Sequence, residues 1–409
     1  MKPYDFLLKN GQVMDPSTSF SAVADVAVQG GTIARIEKGI PPEAAKRVAD
    51  VRGCLVTPGL IDIHCHIYPR FPCGPDALPN VRGEMHQFPA GVTTAVDAGT
   101  CGWRDFGRFK EEVIDVSKLR VLAFLNIAQG GMVNLESEQT PSDFHPKVAA
   151  ALAQTFPELI VGIKAAHYWG FQPFDAEHPP WASVDRGREA AELCGQPLMV
   201  DVQPNHPECP YEALVLEKLR PGDIHTHMYA QQFPLLDADG RVRDFAFQAR
   251  SRGVHFDLGH GAGSFWFRNA IPALRQGFGP DTLSSDLYVA NANGPVINLL
   301  HIMSKYLSMG MPLEEVIARV SVHAARAIRR PELGRLTAGG CADIAVLRLL
   351  NEPCSFADCG NASMQGSVSL ACEMTIREGD IVYDPHGRSL PDWESAPEEY
   401  WKSPGVIRW

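Results

Sequence analysis

What this chain lacks narrows its class before any motif is considered. No run approaches the 18 or so consecutive apolar residues that would cross a bilayer, so no membrane role is expected. The opening MKPYDFLLKNGQVMDP has no apolar segment followed by small residues, and the expected location is the cytoplasm. Ten cysteines are present, but no CxxC pair occurs among them and they scatter from Cys54 to Cys372, as reduced thiols do. Cys354 and Cys359 lie in a loop-like stretch and are read as ordinary thiols, not as a metal pair. The formal charge of -11 is spread without an acidic tail or a basic stripe, which leaves no electrostatic footprint for nucleic acid. No internal repeat or low-complexity tract is evident, and the glycine-rich GHGAG lacks the Gly-Lys pair of a phosphate loop. What remains is a globular chain whose expected partner is a small molecule, with a homo-oligomer left open.

At 409 residues the chain is long enough for a large domain and a smaller appendage. The first fifty residues read as short strands between turns: YDFLLKNG, DVAVQGG, TIARIEKG and KRVADVRG. From Cys54 short apolar runs alternate with helical stretches such as 106–116 and 184–194, the pattern of βαβ units around a parallel sheet. Eight runs can be counted: LVTPGLIDIH, VTTAVDAG, LRVLAFLNIA, LIVGIKAA, QPLMVDVQ, GDIHTHMY, GVHFDLGHG and DTLSSDLY. Helices are expected over 295–308 and 313–329, and strands return in GGCADIAVLRLL, GSVSLACEMTIREG and DIVYDPHG. The expected fold is therefore an α/β chain: a (β/α)8 TIM-like barrel over 54–339, with a small β domain assembled from 1–53 and 340–409.

Barrel enzymes carry their reactive groups at the C-terminal strand ends. The first run ends in His64-Cys65-His66, two imidazoles that extended backbone projects to one side, where both can reach one cation. The fourth carries Lys164 at the end of an apolar run. It is either a lysine that snorkels to solvent or a desolvated amine able to capture carbon dioxide as a metal-bridging carbamate. The sixth supplies His225 and His227, and the eighth ends in Asp286 after two serines. Histidines and an aspartate on separate strands make a divalent metal site, zinc first and manganese second, more probable together than any one does alone. His225 lies one layer deeper than His227 and is read as a hydrogen-bonded core histidine. His260, flanked by glycines beyond the seventh run, is expected to be exposed at the mouth and to orient substrate, with Tyr168 and Arg70 as further substrate-binding candidates.

The segments TPGLIDIHCH, GIKA, GDIHTH and SSDL resemble signatures of the amidohydrolase superfamily, in its dihydroorotase-like and hydantoinase-like branch. FDLGHG, from Phe256 to Gly261, resembles the deacetylase-like members. The resemblance implies that His64, His66 and Asp286 bind the more buried of one or two metals, that Lys164 as a carbamate bridges both, and that His227 binds the outer one. It also implies that Asp286 takes the proton of the attacking water and returns it to the leaving group.

Two positions depart from the family pattern. Asp201 stands where the family places a histidine ligand. Either it ligates through oxygen, or the outer site is weak or empty, or His206 reaches in from the loop. Tyr68 stands where dihydroorotases carry a carboxylate-binding arginine, with Arg70 two residues on, which favours an N-acyl or acyl-ester substrate over a pyrimidine ring. The rival readings are a cyclic amidase, a single-metal deaminase that would not need Lys164, and a non-catalytic scaffold that has lost ligands.

Overall fold

The computed structural model describes residues 2–69, 80–134, 136–168, 174–201 and 206–396; Arg70 lies outside them. The terminal segments, rich in β-branched residues, form one sheet. It comprises β1 (Tyr4–Asp15), β2 (Phe20–Gln29), β3 (Thr32–Glu37), β4 (Ala45–Asp50) and β5 (Leu55–Pro58), joined from the far end of the chain by β13 (Ile344–Leu350), β16 (Ser369–Arg377) and β17 (Asp380–Tyr383). The order is β17-β16-β13-β5-β1-β2-β3, with β4 beside β1. Phe6, Leu8, Val26 and Val28 share an apolar core with Ile344, Val346, Met374 and Ile376. Burial of that common face is what draws the two ends of the chain together.

The start of the barrel needs correction. Leu55–Pro58 does not open it but pairs with β1 and β13 in the terminal sheet. The chain changes sheets at Gly59, where a Cβ would stand 2.2 Å from Thr93 Oγ1. The barrel begins with β6 (Leu60–Cys65) and continues through β7 (Val92–Gly102), β8 (Arg120–Asn126), β9 (Ile160–Ala166), β10 (Leu198–Asp201), β11 (Ile224–His225) and β12 (His255–Phe256), each parallel to the next. These strands are buried almost throughout, as parallel strands covered on both faces must be. Ile61, Val96, Phe124, Val161 and Met199 pack in one apolar cluster with Ala324 and Ile328, from and beside the helix Val322–Ala327.

The eighth run, 281–288, closes the circle through separate bonds and not a continuous ladder. His260 N donates to Ser284 O at 3.2 Å on one side, and Asp286 N to His64 O at 2.6 Å on the other. The result is the (β/α)8 barrel. The stretch 106–116 is not one regular helix: Phe106–Phe109 widens into a π-turn over Lys110–Ile114. The hairpin of β14 (Cys354–Ala357) and β15 (Ser363–Gly366) has no clear signal in the sequence, because its strands are short and half exposed and carry little apolar alternation. Among the described residues no helix is long and apolar enough to cross a membrane, and the cysteines are free thiols.

Barrel and terminal sheet are joined by Asp343, which precedes β13. Its carboxylate pairs with the Arg120 guanidinium at the start of β8 and accepts the Glu378 amide at 2.8 Å. Both partners are largely buried, so removing the carboxylate takes away the guanidinium's buried counter-charge and leaves it the half-exposed Glu378 carboxylate at 3.2 Å. Asp343→Ala is expected to lower stability by about 3 kcal/mol, measured by urea denaturation. A loss under about 0.5 kcal/mol, the range of ordinary surface changes, would contradict this role for the pair.

Candidate metal centre

At the C-terminal end of the barrel, six of the residues singled out in the sequence meet. His66 Nε2 lies 3.0 Å and His64 Nε2 3.4 Å from Asp286 Oδ1. One donor atom from each of His64, His66 and Asp286 falls within 4.8 Å of the others, close enough to hold one divalent ion. His227 Nε2 is 3.1 Å from Asp201 Oδ2 and 4.0 Å from Asp286 Oδ2. Lys164, fully buried, places Nζ 3.4 Å from His64 Nε2. Imidazole nitrogens with carboxylate oxygens form a donor set suited to zinc or manganese.

Each imidazole is turned by a partner on its other nitrogen. His64 Nδ1 meets Thr226 Oγ1 at 2.9 Å, and that hydroxyl donates to Asp257 Oδ2 at 2.8 Å, so it can only accept from the ring. His66 repeats the device, with Nδ1 at 2.8 Å from Thr100 Oγ1 and the Thr100 hydroxyl bonded in turn to the buried Asp97. His227 Nδ1 donates to the Gly259 carbonyl at 2.6 Å. All three rings thus hold a proton on Nδ1 and turn Nε2 toward the centre, the orientation that metal-ligating histidines adopt.

Glycines make the space. Gly99 has φ 90°, and a Cβ there would lie 2.6 Å from Lys164 Cγ. In FDLGHG, both glycines have positive φ; a Cβ on Gly259 would strike Thr226 Oγ1 at 2.2 Å, and one on Gly261 would strike Asp286 Oδ2 at 2.4 Å. Only glycine fits either close approach at these angles.

Burial and neighbouring charge set the protonation states. Burial pulls the Lys164 amine below its ordinary pKa, against the pull of Asp201, Asp286 and Glu138. Burial, then Lys164, holds His64 well below 6.5. Burial raises Asp201, but His227, His167 and Lys164 outweigh it and hold the carboxyl well below the usual range. Burial likewise opposes a charge on His227, yet Asp201 wins and lifts the ring to about 9.

Other expectations meet a different outcome. His260 is not exposed at the mouth. It is fully buried, stacked 4.5 Å from Phe265, with Nε2 2.8 Å from the buried Lys305 Nζ, because the glycines fold the loop inward. Tyr168 donates its hydroxyl to the Pro179 carbonyl at 3.0 Å and packs against Phe144, which makes it a packing residue in this structure. Tyr68 likewise turns to Phe109 and Glu112. His225 is a core residue as expected, but among the described residues neither of its nitrogens has a hydrogen-bond partner; it sits among Tyr211, Phe233 and Phe256, which hold it neutral with a pKa of about 3, chiefly by burial. His206 is exposed and packs on Phe174.

Sequence reasoning missed several residues of the pocket. His167, Tyr288, Met132 and Asn80 line it together with His66, Asp201, His227 and Asp286. His167 was the detectable one, a histidine three positions after Lys164 at the end of the same strand.

No family model matches the chain. A deacetylase of Brucella anthropi is 33% identical over 341 residues, which are 81% of this chain and 80% of that protein. The chain belongs to the amidohydrolase superfamily. Two solved structures reach the same fold: one of an adenine deaminase, at TM-score 0.82 and 27% identity, covering 93% of this chain and 100% of the other, and one of a dihydroorotase, at 0.78 and 27%, covering 93% and 99%. Family, fold and the histidine–aspartate cluster make this amidohydrolase a metal-dependent enzyme that hydrolyses amide bonds.

In the metal-free protein the raised pKa of His227 has a definite sign. A folded value of about 9 against an ordinary 6.5 adds stability that is fully present below pH 6.5 and lost as pH climbs through 9. An NMR titration of the metal-free amidohydrolase is expected to place the His227 imidazole midpoint near 9. A midpoint at or below 6.5 would dissolve the His227–Asp201 ion pair.

Proposed function

We propose that this amidohydrolase removes an acyl group from a small N-acyl or acyl-ester compound, with Asp286 as general base and then general acid. The observation that carries the reading is the convergence of Asp286 with His64 and His66 on one point at the barrel mouth. We assign His64, His66 and Asp286 to an inner cation and His227 and Asp201 to an outer one, zinc being the best match to these donors and manganese the second. Lys164 would join both as a carbamate. Its buried amine, poorer in protons than an ordinary lysine, adds to carbon dioxide and releases one proton, giving an anion with two oxygens.

When bound, such cations supply a water that ionises near pH 7 and polarise the substrate carbonyl. Asp286, with one oxygen toward the imidazoles and the other toward Gly261, receives the proton of the attacking water. It then delivers that proton to the departing nitrogen or oxygen, so that the leaving group need not depart as an anion. Thr226 and Thr100 keep His64 and His66 in one tautomer throughout. The name of the Brucella relative supports an acetyl group as the acyl portion.

The adenine deaminase structure raises the alternative of ammonia release. A buried lysine beside His64 favours acyl hydrolysis, because a single-metal deaminase has no use for it. Assay of zinc-loaded protein on a panel of N-acetyl amino acids and aminopurines separates the two. Acetate without ammonia is expected, and ammonia from the purines with no acetate from the amides would overturn the proposal.

Lys164→Ala is expected to lose bound metal and activity together, with partial recovery of both on adding short carboxylic acids. Undiminished turnover in that variant would remove the carbamate from the mechanism.

A further inference from the structure

We propose that His167 is a ligand of the outer cation, replacing the nitrogen donor that is lost where Asp201 stands on β10. This rests on the two-cation reading above. Aspartate alone is a poor substitute for histidine, because its carboxylate is shorter and offers only oxygen. A second side chain must restore the reach and the nitrogen, and the neighbouring strand provides one.

His167 follows β9 directly and is tied to β10 by its own amide, which donates to Asp201 O at 3.1 Å. Strict alternation from Lys164 would send residue 167 to the opposite face of the sheet. Its left-handed backbone, φ 54°, breaks the alternation and returns the ring to the pocket. There His167 Nε2 lies 3.6 Å from Asp201 Oδ2, the same oxygen that His227 Nε2 approaches at 3.1 Å. Two imidazole nitrogens therefore flank one carboxylate oxygen, each from a different strand end.

The other side of the ring supports the assignment. His167 Nδ1 meets Glu138 Oε2 at 2.8 Å, and Glu138, 1% exposed, accepts Asn126 Nδ2 on its other oxygen at 2.8 Å. A buried carboxylate on Nδ1 fixes the proton there and makes Nε2 the more basic donor, the arrangement that orients histidines at metal centres. His64 and His66 reach their buried carboxylates through a threonine, whereas His167 does so directly. A merely structural histidine would satisfy Glu138 with no need for a second nitrogen facing Asp201.

Zinc content decides the matter. Wild-type chain, loaded with zinc chloride and desalted, is expected to hold about two zinc ions, and His167→Ala and His227→Ala about one each. Glu138→Gln should weaken retention of the second zinc by about 10–100-fold, read by competition with a chelator. Two zinc ions retained by His167→Ala, with one in His227→Ala, would overturn the role of His167 and leave the two-cation reading intact. One zinc in the wild type would overturn that reading and this inference with it. Should His167→Ala not fold, anomalous scattering from zinc-loaded wild-type crystals decides: a second zinc peak within about 2.3 Å of His167 Nε2 is expected, and two zinc peaks with neither inside about 3 Å of that atom refute it.

Discussion

The constraint on which the centre depends is that a histidine can offer a lone pair to a cation only if its proton is held elsewhere. Here the proton of each central imidazole is held by a buried acceptor: the Thr226 hydroxyl backed by Asp257, the Thr100 hydroxyl backed by Asp97, and the Gly259 carbonyl. Buried carboxylates are costly to ionise, and burial raises both Asp97 and Asp257 above the ordinary range. Their hydrogen bonds offset part of that cost, so the polar shell is arranged about the central imidazoles and not added to them. This is why the strand residues around the site are threonine, serine and aspartate in an otherwise apolar barrel.

Much of this is readable in the sequence. Runs of apolar residues ending in polar ones reveal a parallel barrel, because both faces of each strand are covered and only the ends meet water. His64, His66, Lys164, His227 and Asp286 are identifiable for the same reason, each standing at such an end. The start of the barrel is misplaced by pattern alone because LVTPGLIDIH reads as one strand; the pairing of Leu55–Pro58 with β1 and β13, and the packing of Gly59 against Thr93, reveal that the chain passes from one sheet to another there. Flanking glycines put His260 at the surface because glycine signals exposure in general, whereas these two exist to let Thr226 and Asp286 approach. Glu138 and Thr100 are invisible, since nothing in a linear pattern says that a threonine will stand behind a histidine thirty-four residues earlier.

His167 illustrates a different limit. Alternation places a residue on one face or the other, and a single left-handed backbone reverses that placement. Such a conformation is uncommon in residues other than glycine and cannot be inferred from the letters KAAH. The departure at Asp201 is plain in the sequence, but the imidazole that approaches it, His167, comes from the end of the neighbouring strand. A substitution in a barrel mouth is therefore best judged against the ring of strand ends as a whole, because the cation senses distance and not chain order.

The eighth barrel segment, which carries Asp286, is bonded through its backbone to both neighbouring strands. Side chains fasten it as well: Ser285 to Asp62 through both its amide and its hydroxyl, and Thr282 and Ser284 to Asp257. Asp257 is also the carboxylate that stands behind His64 through Thr226. One buried acid thus stitches the seam of the barrel and aims a ring at its centre. The price of that economy is that the mouth has no slack at this point: whatever loosens the closure of the cylinder also misdirects the imidazole, so the fold and its chemistry fail as a unit.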